Sequence, residues 1–235
     1  MSQARGRLRA QLERLERAGR LRLTPAGELD PRFIRLGDWQ AQRVARTHRD
    51  LVAHPRYRPA AEFFLEELYA SRDFSDRDRG FARMYTSMVR ILPDMVLDTV
   101  TDAMELNALT HELDAQMVEI LFQEMGREQI DEACYAEAFR RGDLAARRRQ
   151  LELIGRTGRE LDRLVRLPLI PKALGLARVP ARLAGLLELH RFLERGLLAF
   201  RHMNGAEEFL AIIQRREGQI LERLASGAPE PFAVG

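Results

Sequence analysis

The stretch between Pro93 and Gly126 contains neither glycine nor proline, and its apolar residues recur at helical spacing. Proline suits a first helical turn and glycine a helix end, so the spacing predicts one long helix over residues 93–125. On a wheel of about 100° per residue, Val96, Val100, Ala103, Leu106, Leu113, Met117, Val118 and Leu121 share one broad face. Glu105, Glu112, Gln116, Glu119 and Gln123 fall opposite. Neighbouring helices must cover that apolar face, and the rest of the chain is suited to supply them. Leu, Ala, Arg and Glu dominate it, while strand-forming runs of Val, Ile and Thr are nearly absent. The expected fold is all-α, a single-domain bundle of about eight helices around the long one.

The flanking segments follow from their punctuation. Residues 2–21 form an amphipathic, arginine-rich helix with Leu8, Leu12 and Leu15 on one stripe. Pro25, Gly27 and Pro31 make residues 23–37 a loop and the natural hinge, and Asp38 caps a second helix. His54-Pro55 ends that helix, and Pro59 opens a third that buries Phe63, Phe64, Leu68 and Tyr69. Ser75 starts a fourth with Phe81, Met84, Met88 and Ile91 on its stripe. Helices over residues 128–141 and 143–167 follow the long one. Pro168, Pro171, Gly175 and Pro180 break the next segment into a short helix between turns. Residues 181–203 are helical, and Asn204 caps a last helix over 205–225. The domain reading is a basic N-terminal helix at 1–22, a core at 38–225 and a disordered tail at 226–235.

Charge excludes little. The chain of 235 residues carries 38 basic against 35 acidic groups, a net of +3 that generates a weak long-range field. The N-terminal arginines are interleaved with Glu13 and Glu16, a solvated face more than a phosphate-binding one, so nucleic acid is disfavoured as a partner. Lys172 is the sole lysine. The single cysteine, Cys134, precludes an intramolecular disulfide and suits a reducing compartment. No leader opens the chain and no apolar run approaches the roughly 20 residues of a membrane span, so a cytoplasmic protein is expected. Residues 167–187 are apolar with Lys172, Arg178 and Arg182 spaced along them. Their prolines argue against a continuous amphipathic helix, and peripheral membrane contact is disfavoured accordingly.

Polar residues inside apolar stripes are the informative ones. Asn107, His111 and Asp114 fall on the apolar side of the long helix. His190 and Glu194, with Arg201 continuing the line, fall within the stripe of Leu183, Leu186, Leu187, Leu193 and Leu197. Glu217 sits among Phe209, Leu210, Ile213, Ile220, Leu221 and Leu224. A buried, unpaired carboxylate costs several kcal/mol, so these groups require partners. One expectation is that they form a ligand-binding pocket in which His111, Asp114, His190, Glu194 and Glu217 converge. Such a pocket would hold a small polar molecule, with His111 or His190 as acid and base, or a metal. The competing expectation is a set of structural polar networks, with Arg77, Arg201 or Arg216 neutralising buried acids. The paired Glu-x-x-His pattern of di-metal bundles is missing.

The residues identify neither a catalytic group nor a cofactor, and they leave open whether the chain is an enzyme. Cys134 reads as an inert thiol and Trp39 as a core lid. His48 and His54 read as solvent-facing or capping, and His202 lies off its stripe. No glycine-rich phosphate loop, G-x-S-x-G elbow, HExxH helix or paired C-x-x-C occurs. The alternative class is a non-catalytic interaction protein, whose first helix or 167–187 segment docks a partner or a second copy in a homo-oligomer.

Three stretches carry a resemblance: FFLEELYASRDFSDRD from Phe63, ELNALTHELD from Glu105 and FRHMNGAEEFLAIIQRREGQIL from Phe200. Together they resemble an uncharacterised family of bacterial helical proteins. The resemblance implies a helical, cytoplasmic bacterial protein and brings no activity with it.

Overall fold

A computed structural model describes residues 3–67, 80, 83, 85 and 94–234. The described helices are α1 (Gln3–Arg20), α2 (Pro31–Thr47), α3 (Arg49–Ala53), α4 (Arg58–Glu67), α5 (Asp94–Val118), α6 (Glu132–Arg141), α7 (Leu144–Val165), α8 (Leu169–Leu183), α9 (Leu187–Met203) and α10 (Glu207–Ser226). Extended pairing among the described residues is limited to one antiparallel bridge, Leu23 to Leu29. The helix expected from Ser75, with Phe81, Met84, Met88 and Ile91, lies outside the described residues, as do Leu68, Tyr69, Arg77 and Pro93.

The long helix is present. α5 continues through a π-helical segment at Glu119–Glu124, and Gly126 ends it in the left-handed region at φ 62°. Several boundaries differ from the sequence reading, two of them at prolines, and the helix expected over 181–203 begins only at Leu187. α2 begins at Pro31, well before Asp38, because Asp30 caps it by accepting from Arg32 N and Pro31 occupies the first turn. α8 is one continuous helix where turns were expected. Pro171 falls in its first turn, where amide donors have no helical acceptor, and Pro180 lies near its end. Asn204, expected as an N-cap, instead takes the left-handed conformation as the C-cap of α9.

Packing centres on α5. Leu8, Leu12 and Leu15 of α1 bury themselves with Leu97, Met104 and Ala108 of α5, so the basic N-terminal helix lies along the core. On another side Leu109 and Leu113 meet Leu153 of α7. The far end of α5 joins Phe33 and Leu36 of α2, Tyr135 and Phe139 of α6 and Ile220 and Leu224 of α10. A second core joins α4, α9 and α10 through Phe63, Phe200, Met203, Phe209 and Leu210.

Covered on several sides, α5 has no simple wet face. Glu112 accepts two hydrogen bonds from Arg14 at 2.8 and 2.6 Å, and Glu105 pairs with Arg149 at 2.9 Å. Buried Asp102 lies 2.6 Å from Arg156. The helices α7 and α10 approach closely at two glycines. A Cβ on Gly155 would fall 1.8 Å from Gln214 Nε2, and one on Gly158 would fall 2.6 Å from Leu210 Cδ2. The C-terminal residues, read from composition as a disordered end, lie on the core through position 234. There Phe232 meets Trp39 edge-on at 5.7 Å, while Trp39 stacks on Tyr135 at 4.1 Å. Among the described residues no helix is long and apolar enough to cross a membrane.

Candidate functional site

Beginning α2 at Pro31 places Gln40 and Arg43 within its apolar arc, since on a 100° wheel both fall within about 40° of Leu36. Both are buried, as is His48 just beyond the helix. Arg43 Nη1 donates to both carboxylate oxygens of Glu217 at 2.6 Å, and His48 Nε2 donates to Glu217 Oε1 at 2.8 Å. Burial alone would push the Glu217 carboxyl up. The Arg43 charge and the hydrogen bonds from His48 and Arg43 outweigh it, and hold the group down to about 2. Glu217 is therefore ionised and fully answered.

One turn earlier along α2, Gln40 Nε2 donates to Asp114 Oδ1 at 3.2 Å and reaches the Tyr135 hydroxyl at 3.5 Å. His111 is buried on α5, with Arg22 Nη1 3.3 Å from its Nδ1. A guanidinium can only donate, so Nδ1 accepts and the ring proton sits on Nε2. Asn107 is half-buried one turn before it. The structure thus joins Asp114 and Glu217 indirectly, as successive rungs against α2.

The other sequence candidates lie elsewhere. Buried His190 donates from Nε2 to Leu174 O of α8 at 2.9 Å, and its Nδ1 has no partner among the described residues. Glu194 is half-buried farther along α9, and Arg201, expected on the buried line, is exposed. No three His, Cys, Asp or Glu side chains among the described residues are placed to hold a metal, so His111, Asp114, His190, Glu194 and Glu217 do not form a ligand set. Arg22, Gln40 and Arg43 engage His111, Asp114 and Glu217, and His190 turns to the backbone of α8. Burial pushes the Asp102 carboxyl up, with Arg156 only partly offsetting it.

Sequence reasoning missed Arg43, Gln40 and Arg22; of its two readings of His48, solvent-facing or capping, the second holds, since His48 is the C-cap of α2, but its side chain is buried. The signal was present in α2, where polar residues recur on the face of Phe33, Leu36 and Val44, but it needed the correct helix start. Cys134 is buried and outside any disulfide, and burial pushes its thiol up, away from nucleophilic use. His54 and His202 are exposed. Beside the Glu217 ion pair lies a cleft of about 580 Å³ lined by Arg43, Arg46, Arg49, Asp50, Arg216 and Phe232. Arg216 is engaged with Asp50 at 2.7 and 3.0 Å, and Arg46 lies 3.5 Å from Glu132.

The helix α8 has the opposite character. None of its residues is buried. Leu169, Leu176, Val179 and Leu183 expose 73, 81, 67 and 84% of their surfaces, and they span about 80° of one side on a helical wheel. Half-buried Ile170, Leu174 and Ala181 occupy a different arc, toward the domain. The bond from His190 to Leu174 fixes that inner side. From Asp162 to Glu188 the chain has no acidic residue, whereas Arg163, Arg166, Lys172, Arg178 and Arg182 are basic.

Fold and site together define a single all-α domain with a buried ion-pair network and one apolar helix face turned outward. A family signature matches residues 21–231, and the chain belongs to that family, described as Domain of unknown function (DUF8198). No curated protein and no solved structure matches the chain.

Proposed function

We propose that this protein is a non-catalytic helical docking module that engages its target through α8. The observation that carries the reading is the outward apolar row of Leu169, Leu176, Val179 and Leu183 on a helix with no buried residue. Apolar surface gathered on one side of a folded monomer marks an interaction site more often than chance. The ionisable groups of the core support the same reading, because Glu217, Asp114 and His111 have partners within the chain and hold helices in register. Cys134 outside any disulfide, together with the family resemblance, supports a bacterial cytoplasm as the setting.

The test is a Leu176→Gln and Leu183→Gln double variant of the full chain. Docking side chains contribute little to the isolated fold, so the melting temperature is expected to stay within about 2 °C of wild type. A drop of about 10 °C or more would make these leucines part of the interior and end the reading.

A second reading, binding of a small polar molecule, has one observation in its favour. The cleft beside Glu217 is lined by four arginines against three acids, Asp50, Glu132 and Glu230, and is large enough for an anionic metabolite. Inorganic phosphate or citrate would then raise the melting temperature, and Arg46→Ala with Arg49→Ala would abolish the rise. No shift with either anion would count against it.

A further inference from the structure

We infer that the target of α8 is the surface of an anionic lipid bilayer; this rests on the docking reading above and names its partner. The first argument is charge. Every ionisable side chain on α8 is basic, whereas Arg163 and Arg166 just before it are already paired with Glu160 at 2.7 Å and Asp162 at 2.6 Å. The chain elsewhere pairs its arginines closely with acids, as at Arg14–Glu112, Arg43–Glu217 and Arg148–Glu222. Among the described residues Lys172, Arg178 and Arg182 have no such acid. A second copy of the chain docked face to face would set this cationic segment against itself, with no acidic group of α8 to answer it. A negatively charged surface answers every one of these charges at once.

The second argument is the place of Lys172. On a helical wheel it lies about 60° from Leu169, between Val179 and Leu183, inside the apolar row. A protein interface would have to desolvate that ammonium in its centre and supply a paired acid. At a bilayer the long lysine stem lies along the acyl region while the ammonium reaches back to the phosphates. Arg182 flanks the row about 60° beyond Val179, at headgroup level when the leucines point into the membrane, and Arg178 lies about 40° farther round, toward the inner arc. A short interfacial helix with an apolar row and a basic margin lies in the membrane plane, and α8 has both. The inner arc of Ile170 and Leu174, tied by His190, keeps the helix on the domain while its outer row inserts.

The experiment is flotation of the full chain with two kinds of vesicle, phosphatidylcholine alone and phosphatidylcholine containing phosphatidylglycerol. The wild type is expected to float with the anionic vesicles and to be left behind by the neutral ones. Binding should weaken as salt rises. Replacing Lys172, Arg178 and Arg182 by Gln should lower partition about a hundredfold, at about fivefold per cation. Leu176→Gln with Leu183→Gln should abolish flotation while leaving the melting temperature in place. Equal behaviour with both vesicles, or undiminished flotation of the leucine variant, would overturn the inference. Light scattering separates its failure from that of the docking reading. A wild type that ignores vesicles but dimerises, with a monomeric leucine variant, removes the lipid and keeps the docking helix. A leucine variant that loses thermal stability removes both.

Discussion

Helices α2 and α8 are built inside out in opposite senses. α2 turns Gln40 and Arg43 toward the core, whereas α8 turns Leu169, Leu176, Val179 and Leu183 toward water. Both break the ordinary apolar-in, polar-out pattern, but only one violation is resolved within the chain. The buried guanidinium meets Glu217, and the buried glutamine meets Asp114. The exposed leucines have no such answer. A buried charge left unmatched costs several kcal/mol of stability, so its partner is best supplied internally; an exposed apolar row costs little in the folded monomer and can wait for an external one. The sites most suggestive of chemistry in the sequence are for that reason the ones already consumed by structure.

The contrast is broken most severely at Glu217. Glu217→Gln leaves Arg43 buried without its counter-charge and should lower unfolding free energy by about 3–5 kcal/mol, measured by urea denaturation at neutral pH. Replacing both partners, Arg43→Met with Glu217→Leu, should recover most of that loss, because neither desolvated charge then remains. The same pair sets a pH window. The Glu217 carboxyl falls from its ordinary 4.5 to about 2, so its stabilisation is complete above about pH 4.5 and disappears as pH falls toward 2. Urea midpoints of the wild type should drop across that interval, and the Glu217→Gln variant should lack this component.

A smaller effect is expected where the two regions are linked. His190→Ala removes the donor to Leu174 O and opens a cavity under α8, at a cost of about 1–2 kcal/mol. Hydrogen exchange should quicken in α8 while α5 keeps its protection; equal acceleration in both helices would show that His190 supports the whole core. Asp102 offers a finer test. Burial raises its carboxyl above the usual 3.8, so ionisation becomes less favourable on folding, and its partner Arg156 is half in water. Asp102→Asn should therefore change stability by less than about 1 kcal/mol. It should also remove a small loss that the wild type suffers as pH rises through the acid range. The smallest effect belongs to α8 itself, where Leu176→Gln and Leu183→Gln should each alter unfolding free energy by no more than about 0.5 kcal/mol.

Most of the architecture was legible because helical periodicity is a local property. The long helix ending at Gly126 and the buried stripe of Leu8, Leu12 and Leu15 both follow from spacing and punctuation. Proline was the poor guide. It was read as a breaker at Pro31 and along α8, whereas a proline in a first turn starts a helix, and nothing local distinguishes the two uses. The burial of His111, His190 and Glu217 was also legible, since an apolar stripe defines its own inside. Their partners were not. Arg22, Arg43 and Gln40 come from segments remote in sequence, and one wheel cannot tell which side of another helix it meets.

The same division holds for function. By its own pattern the sequence determined the all-α class, the dry positions of His111 and His190 and the acid-free run around Lys172, because each depends on neighbours within a few turns. Only the tertiary structure decided that Glu217, Asp114 and His111 are engaged by Arg43, His48, Gln40 and Arg22, and that the apolar side of α8 is left exposed. Those outcomes depend on how helices distant along the chain are stacked, and stacking is the sum of many weak contacts that no single segment encodes.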